Sequence, residues 1–129
     1  MKTNYKLALA VLAGVSRGVA GVEAIHAQQV KTPPAYIIAD VEVTDPATFQ
    51  KYADKVPETL APFNAQYLVR GGKIQALEGE MPKRVVVIAF ASAEKALGWY
   101  DSPAYVAIKS IRDSSAKSRL FIVEGLTPQ

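Results

Sequence analysis

Between Ala35 and Glu124 the spacing of apolar residues switches between a period of two and one near 3.6, in the order strand, helix, strand, strand, helix, strand. Two βαβ-type halves joined by a hairpin define the split, ferredoxin-like βαββαβ arrangement. The expected class is therefore α+β, a four-stranded antiparallel sheet with helices on one face. The same stretch contains neither histidine nor cysteine. Thiolate nucleophiles, serine-histidine relays, zinc sites and histidine-ligated haem thereby lose their usual protein groups, and no metal or cofactor is expected. The only histidine, His26, lies in the N-terminal leader.

In the first strand, Ala35, Ile37, Ala39, Val41 and Val43 share one face, and Tyr36, Ile38, Asp40 and Glu42 share the other. The first row reads as core. The second is mixed, which fits a partner subunit or a wet cavity better than bulk solvent. Asp45-Pro46 then marks a helix start, carried on by Phe49, Tyr52, Ala53 and Val56. Pro57 is expected to stop or kink this helix, and Pro62 to end the short turn after it. Gln66 to Leu77 reads as a strand with Gly71-Gly72 in its middle as a bulge, the alternative being a tight hairpin there, and Glu78 to Lys83 is the better turn before the continuously apolar strand Arg84 to Phe90. Such a run suits a strand buried on both faces. Ser92 caps the next helix, whose apolar stripe is Ala96, Leu97 and Tyr100; Ser102-Pro103 starts a second segment through Tyr105, Ile108 and Ile111 to about Ala116. Ser118 to Glu124 forms the last strand.

The 129 residues thus divide into a leader (1–27), a proline-bearing linker (28–34), one domain (35–125) and a short tail (126–129). In the leader, Lys2 and Lys6 precede the apolar run Leu7 to Val15, and small residues lead to a possible cleavage point after Ala27. This is the layout of a secretory signal and places the mature domain in the periplasm or outside the cell, with no stable membrane insertion after removal. Arg17 interrupts the apolar stretch and Ile25 is bulky for its position. An uncleaved membrane anchor, or an amphipathic helix on a cytoplasmic protein, are the alternatives. Taking Lys2, Lys6, Arg17 and Glu23 from the 15 basic and 12 acidic residues leaves 12 and 11, so the mature domain is nearly neutral. Its short basic groupings, Lys83-Arg84 and Lys117 to Arg119, lack interleaved stacking aromatics, and nucleic acid is not an expected partner.

Several segments together carry a resemblance: Pro34-Ala35-Tyr36, Tyr67 to Lys73, Leu77-Glu78-Gly79, Trp99 to Tyr105 and Ser118 to Gly125. They resemble the domain-of-unknown-function family numbered 1330, within the dimeric α/β-barrel superfamily, over about Pro34 to Gly125. The resemblance implies a homodimer in which two sheets pack face to face. The family itself implies no activity, because its own function is unassigned and fold alone does not settle function.

Candidate site residues are those able to hold or activate a small molecule. Arg70 beside Gly71-Gly72 would present a planar guanidinium to a carboxylate; its bland reading is an ion pair with Glu78 or Asp40. Arg119 has the same two readings. Trp99 and Tyr100 would floor an aromatic pocket, although the helical stripe makes Tyr100 a core residue, and Tyr36 and Tyr105 would add hydroxyls or simply pack. Asp40 and Glu42, two apart on one strand face, would be neighbouring carboxyls able to share acid and base roles, or merely hydrated. Three functions follow: a dimeric small-molecule-binding domain for an acidic or phenolic ligand, using Tyr36, Arg70, Trp99, Tyr100, Tyr105 and Arg119; a cofactor-independent oxygenase or isomerase, as the superfamily resemblance implies, with Asp40, Arg70 and Arg119 catalytic; and a structural or stress-related envelope protein.

Overall fold

The inward row of the first strand sets the layout, because Ala35, Ile37, Ala39 and Val41 are all buried while their neighbours are not. The computed structural model describes residues 32–129, so the expected leader and most of the linker lie outside the described residues. The strands are β1 (Ala35–Val43), β2 (Gln66–Arg70), β3 (Val85–Phe90) and β4 (Ala116–Glu124), and the helices α1 (Pro46–Leu60), α2 (Ala93–Tyr100) and α3 (Pro103–Ser115). The sheet order is β2-β3-β1-β4 with every pair antiparallel. One core joins the inward residues of the sheet to Phe49, Tyr52 and Val56 of α1, Trp99 of α2, and Tyr105 and Ile108 of α3. None of the described helices is long and apolar enough to cross a membrane.

The helix starts follow the expected chemistry. Asp45 accepts from the Thr48 amide at 3.3 Å and from its hydroxyl at 2.7 Å, with Pro46 in the first turn. Ser92 and Ser102 cap α2 and α3 by accepting from the Lys95 and Tyr105 amides, so the two helices meet at a bend as expected.

Four local expectations are corrected. Pro57 neither stops α1 nor leaves its missing bond open: the helix continues to Leu60, and Arg70 Nη2 donates at 2.7 Å to the Ala53 carbonyl, four residues before the proline. β2 ends at Arg70 instead of Leu77, because Gly71 turns the chain with a φ of 67° and gives its amide to the Val85 carbonyl as the last rung. Residues 71–84 then run without regular structure, leaving Leu77 exposed. The bulge lies between Tyr67 and Val69, not at the glycines. In α2, Leu97 faces outward at 52% exposure and Trp99 takes the core position at 1%. Tyr100 is only half-buried.

Candidate ligand cleft between sheet and helices

Tyr67, Arg70, Val86 and Ile88 occupy the inward face of the hairpin, since Tyr67 pairs with Ile88 and Arg70 with Val86 in the ladder. Across from them α1 presents Phe49, Tyr52 and Val56, and α2 and α3 supply Trp99 and Arg112. These residues and Arg84 enclose a small cavity of about 40 Å³. Three guanidinium groups border it, and no carboxylate does among the described residues.

Each polar group at this cavity has a definite arrangement. Arg70 is tied to the Ala53 carbonyl and lies over the Tyr67 ring at 4.6 Å, so neither Glu78 nor Asp40 is its partner. Arg84 lies over Phe49 at 5.6 Å and passes so close to Gly71 that a Cβ there would collide with its Nη1. Arg112 is only 6% exposed. Its Nη1 donates to the Tyr105 hydroxyl at 2.7 Å, and Nη2 pairs with Asp113 at 3.2 Å. The Tyr105 and Tyr52 hydroxyls stand 2.7 Å apart. The Nε atoms of Arg84 and Arg112 are buried with no hydrogen-bond partner among the described residues.

Burial pushes the Tyr67 hydroxyl up to about 12 and raises Tyr52 and Tyr105 above the ordinary phenol value as well. All three are protonated at neutral pH. Trp99 donates to Thr59 Oγ1 at 2.9 Å and packs on the Tyr105 ring at a 4.0 Å centroid distance, so its indole is locked in place.

The structure gathers only part of the predicted set here. Arg70 and Trp99 line the cavity, and Tyr105 stands behind it through Tyr52 and Arg112. Tyr36, Asp40 and Arg119 are on the opposite sheet face. Asp40 faces Arg119 directly in the register, pairs with it at 3.3 Å, and accepts from the Lys83 amide at 3.1 Å. That pair borders an open groove of about 450 Å³ whose charged residues include Glu42, Glu80 and Lys117. Tyr100 instead meets Leu97, Phe121 and Ile122 at a shallow apolar groove beside β4, with Lys109 over its ring at 4.4 Å. A hydrogen bond from Lys109 draws the Tyr100 hydroxyl below the ordinary phenol value.

Sequence reasoning missed Tyr52, Tyr67, Arg84 and Arg112. Arg112 had a legible signal: it lies seven residues after Tyr105 and four after Ile108, on the buried stripe of α3. A charge on that stripe needs buried partners, and the tyrosine pair is the partner.

Sheet order and helix placement make this a ferredoxin-like α+β domain. Residues 34–126 match the family described as Domain of unknown function (DUF1330), and the chain belongs to that family. No curated protein matches the sequence. Among solved structures, a protein of unknown function from Rhodopseudomonas palustris is 14% identical with a TM-score of 0.62, over 74% of this chain and 85% of that one. A cofactor-independent oxygenase, SnoaB, from Streptomyces nogalater is 8% identical with a TM-score of 0.55, over 75% and 97%. A dimeric ferredoxin-like protein of unknown function from Thermobifida fusca is 14% identical with a TM-score of 0.53, over 74% and 93%. At such identities the likeness is one of fold.

Proposed function

We propose that the domain is a homodimeric binder of a small acidic or phenolic molecule, taken up in the cleft between sheet and helices. One observation carries this reading: three arginines and no carboxylate border one cavity, and two of their Nε atoms lack an acceptor among the described residues. Arg112 has Asp113 as its counter-charge and Arg70 is exposed, but the buried Nε donors of Arg84 and Arg112 are costly to leave without an acceptor, and with no carboxylate on Arg84 among the described residues the arrangement favours an anionic occupant. At about 40 Å³ the cavity holds little more than a head group, against roughly 300 Å³ or more for an ordinary ligand pocket. A ring-sized ligand therefore needs Arg70, which is exposed, to swing outward.

Thermal shift of the full chain against benzoate, 4-hydroxybenzoate and phenol tests the reading, because a ligand that binds only the folded state raises the melting temperature. Stabilisation that disappears in Arg84→Gln is the expected result. No stabilisation by any of the three, or stabilisation untouched by Arg84→Gln, would leave a structural role as the better reading.

A second reading is favoured by the hydrogen-bonded series Arg112, Tyr105, Tyr52, which ends at the cavity. A tyrosine there would exchange a proton while the guanidinium groups stabilise an oxyanion, as a cofactor-independent oxygenase or isomerase requires. The fold likeness to the Streptomyces oxygenase is compatible with it. Turnover lost in Tyr52→Phe with binding retained would select this reading over simple binding.

The dimer rests on the outward sheet face. Tyr36, Ile38, Val85, Val87 and Ala89 are half-buried there, and Phe121 and Val123 are exposed. The dimeric Thermobifida protein shares the fold. Export rests on the leader-like residues 1–27, and an exported product beginning at Gln28 by mass spectrometry is the outcome that supports it.

A further inference from the structure

The groups around the inner cavity hold more protons than acceptors. A guanidinium can only donate, and Arg112 Nη1 donates to the Tyr105 oxygen at 2.7 Å. One hydrogen bond then joins the Tyr105 and Tyr52 hydroxyls, so one of their two protons is left over. Tyr105 is 0% exposed, and were Tyr52 the donor, the Tyr105 proton would be stranded in the core. The consistent polarity runs from Arg112 to Tyr105 to Tyr52. The spare proton is then on Tyr52, whose side chain lines the cavity.

Two further donors need an acceptor, the buried Nε atoms of Arg84 and Arg112. Arg70 is already committed to the Ala53 carbonyl, and Trp99 to Thr59. A water fits the volume, since its share of the liquid is about 30 Å³, yet it adds two protons to a site already short of acceptors. A carboxamide or a neutral phenol also brings a donor. A carboxylate brings two oxygens, about four acceptor positions, a charge opposite to that of the arginines and no proton.

We propose that the cavity is a carboxylate-selective head-group site, in which Arg84 Nε, Arg112 Nε and the Tyr52 hydroxyl donate to the two oxygens of a small organic acid. The proposal rests on the cleft being the ligand site and goes further by naming the group that enters it. It also gives the buried tyrosine pair a purpose: Tyr105 spends its proton on Tyr52 so that Tyr52 can spend its own on the ligand.

The test compares isosteric acids and amides on the full chain at neutral pH, benzoate with benzamide and butyrate with butyramide, by calorimetric titration. Acids binding at least tenfold tighter than their amides is the expected result, with that ratio falling several-fold in Tyr52→Phe and at least tenfold in Arg84→Gln. Arg84→Lys, which keeps the charge and removes Nε, should lose the same preference and serves if the glutamine variant does not fold. Equal binding of acid and amide, both abolished in Arg84→Gln, would overturn the carboxylate assignment while leaving the cleft as the ligand site. Binding of no probe, or binding indifferent to all three variants, would overturn both.

Discussion

Pro57 and Arg70 form one device, although they are 13 positions apart in sequence and lie on different elements. A proline inside a helix costs about 3 kcal/mol relative to alanine, partly because the carbonyl four residues earlier loses its amide. Here that carbonyl belongs to Ala53, and a charged donor replaces the amide. Pro57→Ala should therefore stabilise the domain, by about 1 to 3 kcal/mol, and free Arg70 from its structural duty. Arg70→Met should cost about 1 kcal/mol in the natural background and clearly less beside Pro57→Ala. Urea unfolding of the four proteins gives the coupling; additive effects would mean that Arg70 does not serve this carbonyl. The tyrosine pair is testable at the same scale. Tyr105→Phe strands the Arg112 Nη1 proton in the core and should cost about 1 to 3 kcal/mol. Tyr52→Phe leaves that bond intact and strands the neutral Tyr105 proton in place of a charged donor, so it should also destabilise, but by less, as measured by the same unfolding curves.

At the scale of elements, the caps tie stability to pH in a direction that can be worked out. Hydrogen bonds from the Thr48 hydroxyl and then from its amide hold the Asp45 carboxyl below its ordinary value of 3.8. A carboxyl lowered on folding adds stability that is fully present above its unfolded value and disappears as pH falls through the lower, folded one. The melting temperature of the natural protein should therefore exceed that of Asp45→Ala at neutral pH, and the gap should close below pH 3.8. A gap constant with pH would show that the charged cap contributes nothing. The same local signals explain what was legible in the sequence. Asp45-Pro46, Ser92 and Ser102-Pro103 announced three helix starts because capping is decided within four residues. The length of β2 was not legible. Ile74 and Ala76 alternate with Lys73 and Gln75 past Arg70, yet a strand needs a partner at every rung, and Gly71 turns the chain away after its bond to Val85. The site was half legible for a related reason. Arg70 and Trp99 were recognisable by type, but Arg112 and Tyr52 looked like ordinary members of helical stripes until tertiary packing joined them. Asp40 could have been set aside earlier, since it shares strand parity with Tyr36 and Ile38 and so faces away from the core.

For the whole molecule, the unanswered demand is the outward face of the sheet. Val87 lies at its centre, opposite Ile38 on β1 and Val69 on β2, and Phe121 on β4 extends the same apolar band at 52% exposure. Charged residues are confined to one end of that face, where Asp40 meets Arg119 and Glu42 stands opposite Lys117. An apolar centre with a charged margin is the layout of an interface that excludes water in the middle and sets orientation at the rim. In the proposed homodimer a second copy supplies a matching band, because a two-fold arrangement presents the same patch from both sides. Val87→Glu should then convert a dimer to a monomer in sedimentation velocity at micromolar concentration while the circular dichroism spectrum stays native, since the new carboxylate of a lone subunit reaches water. Val106→Glu, on an exposed position of α3 that lines none of the grooves described, should leave the dimer intact. A natural protein that sediments as a monomer at high micromolar concentration would remove the pairing. The inner cleft would survive that result, because each of its lining residues comes from a single chain.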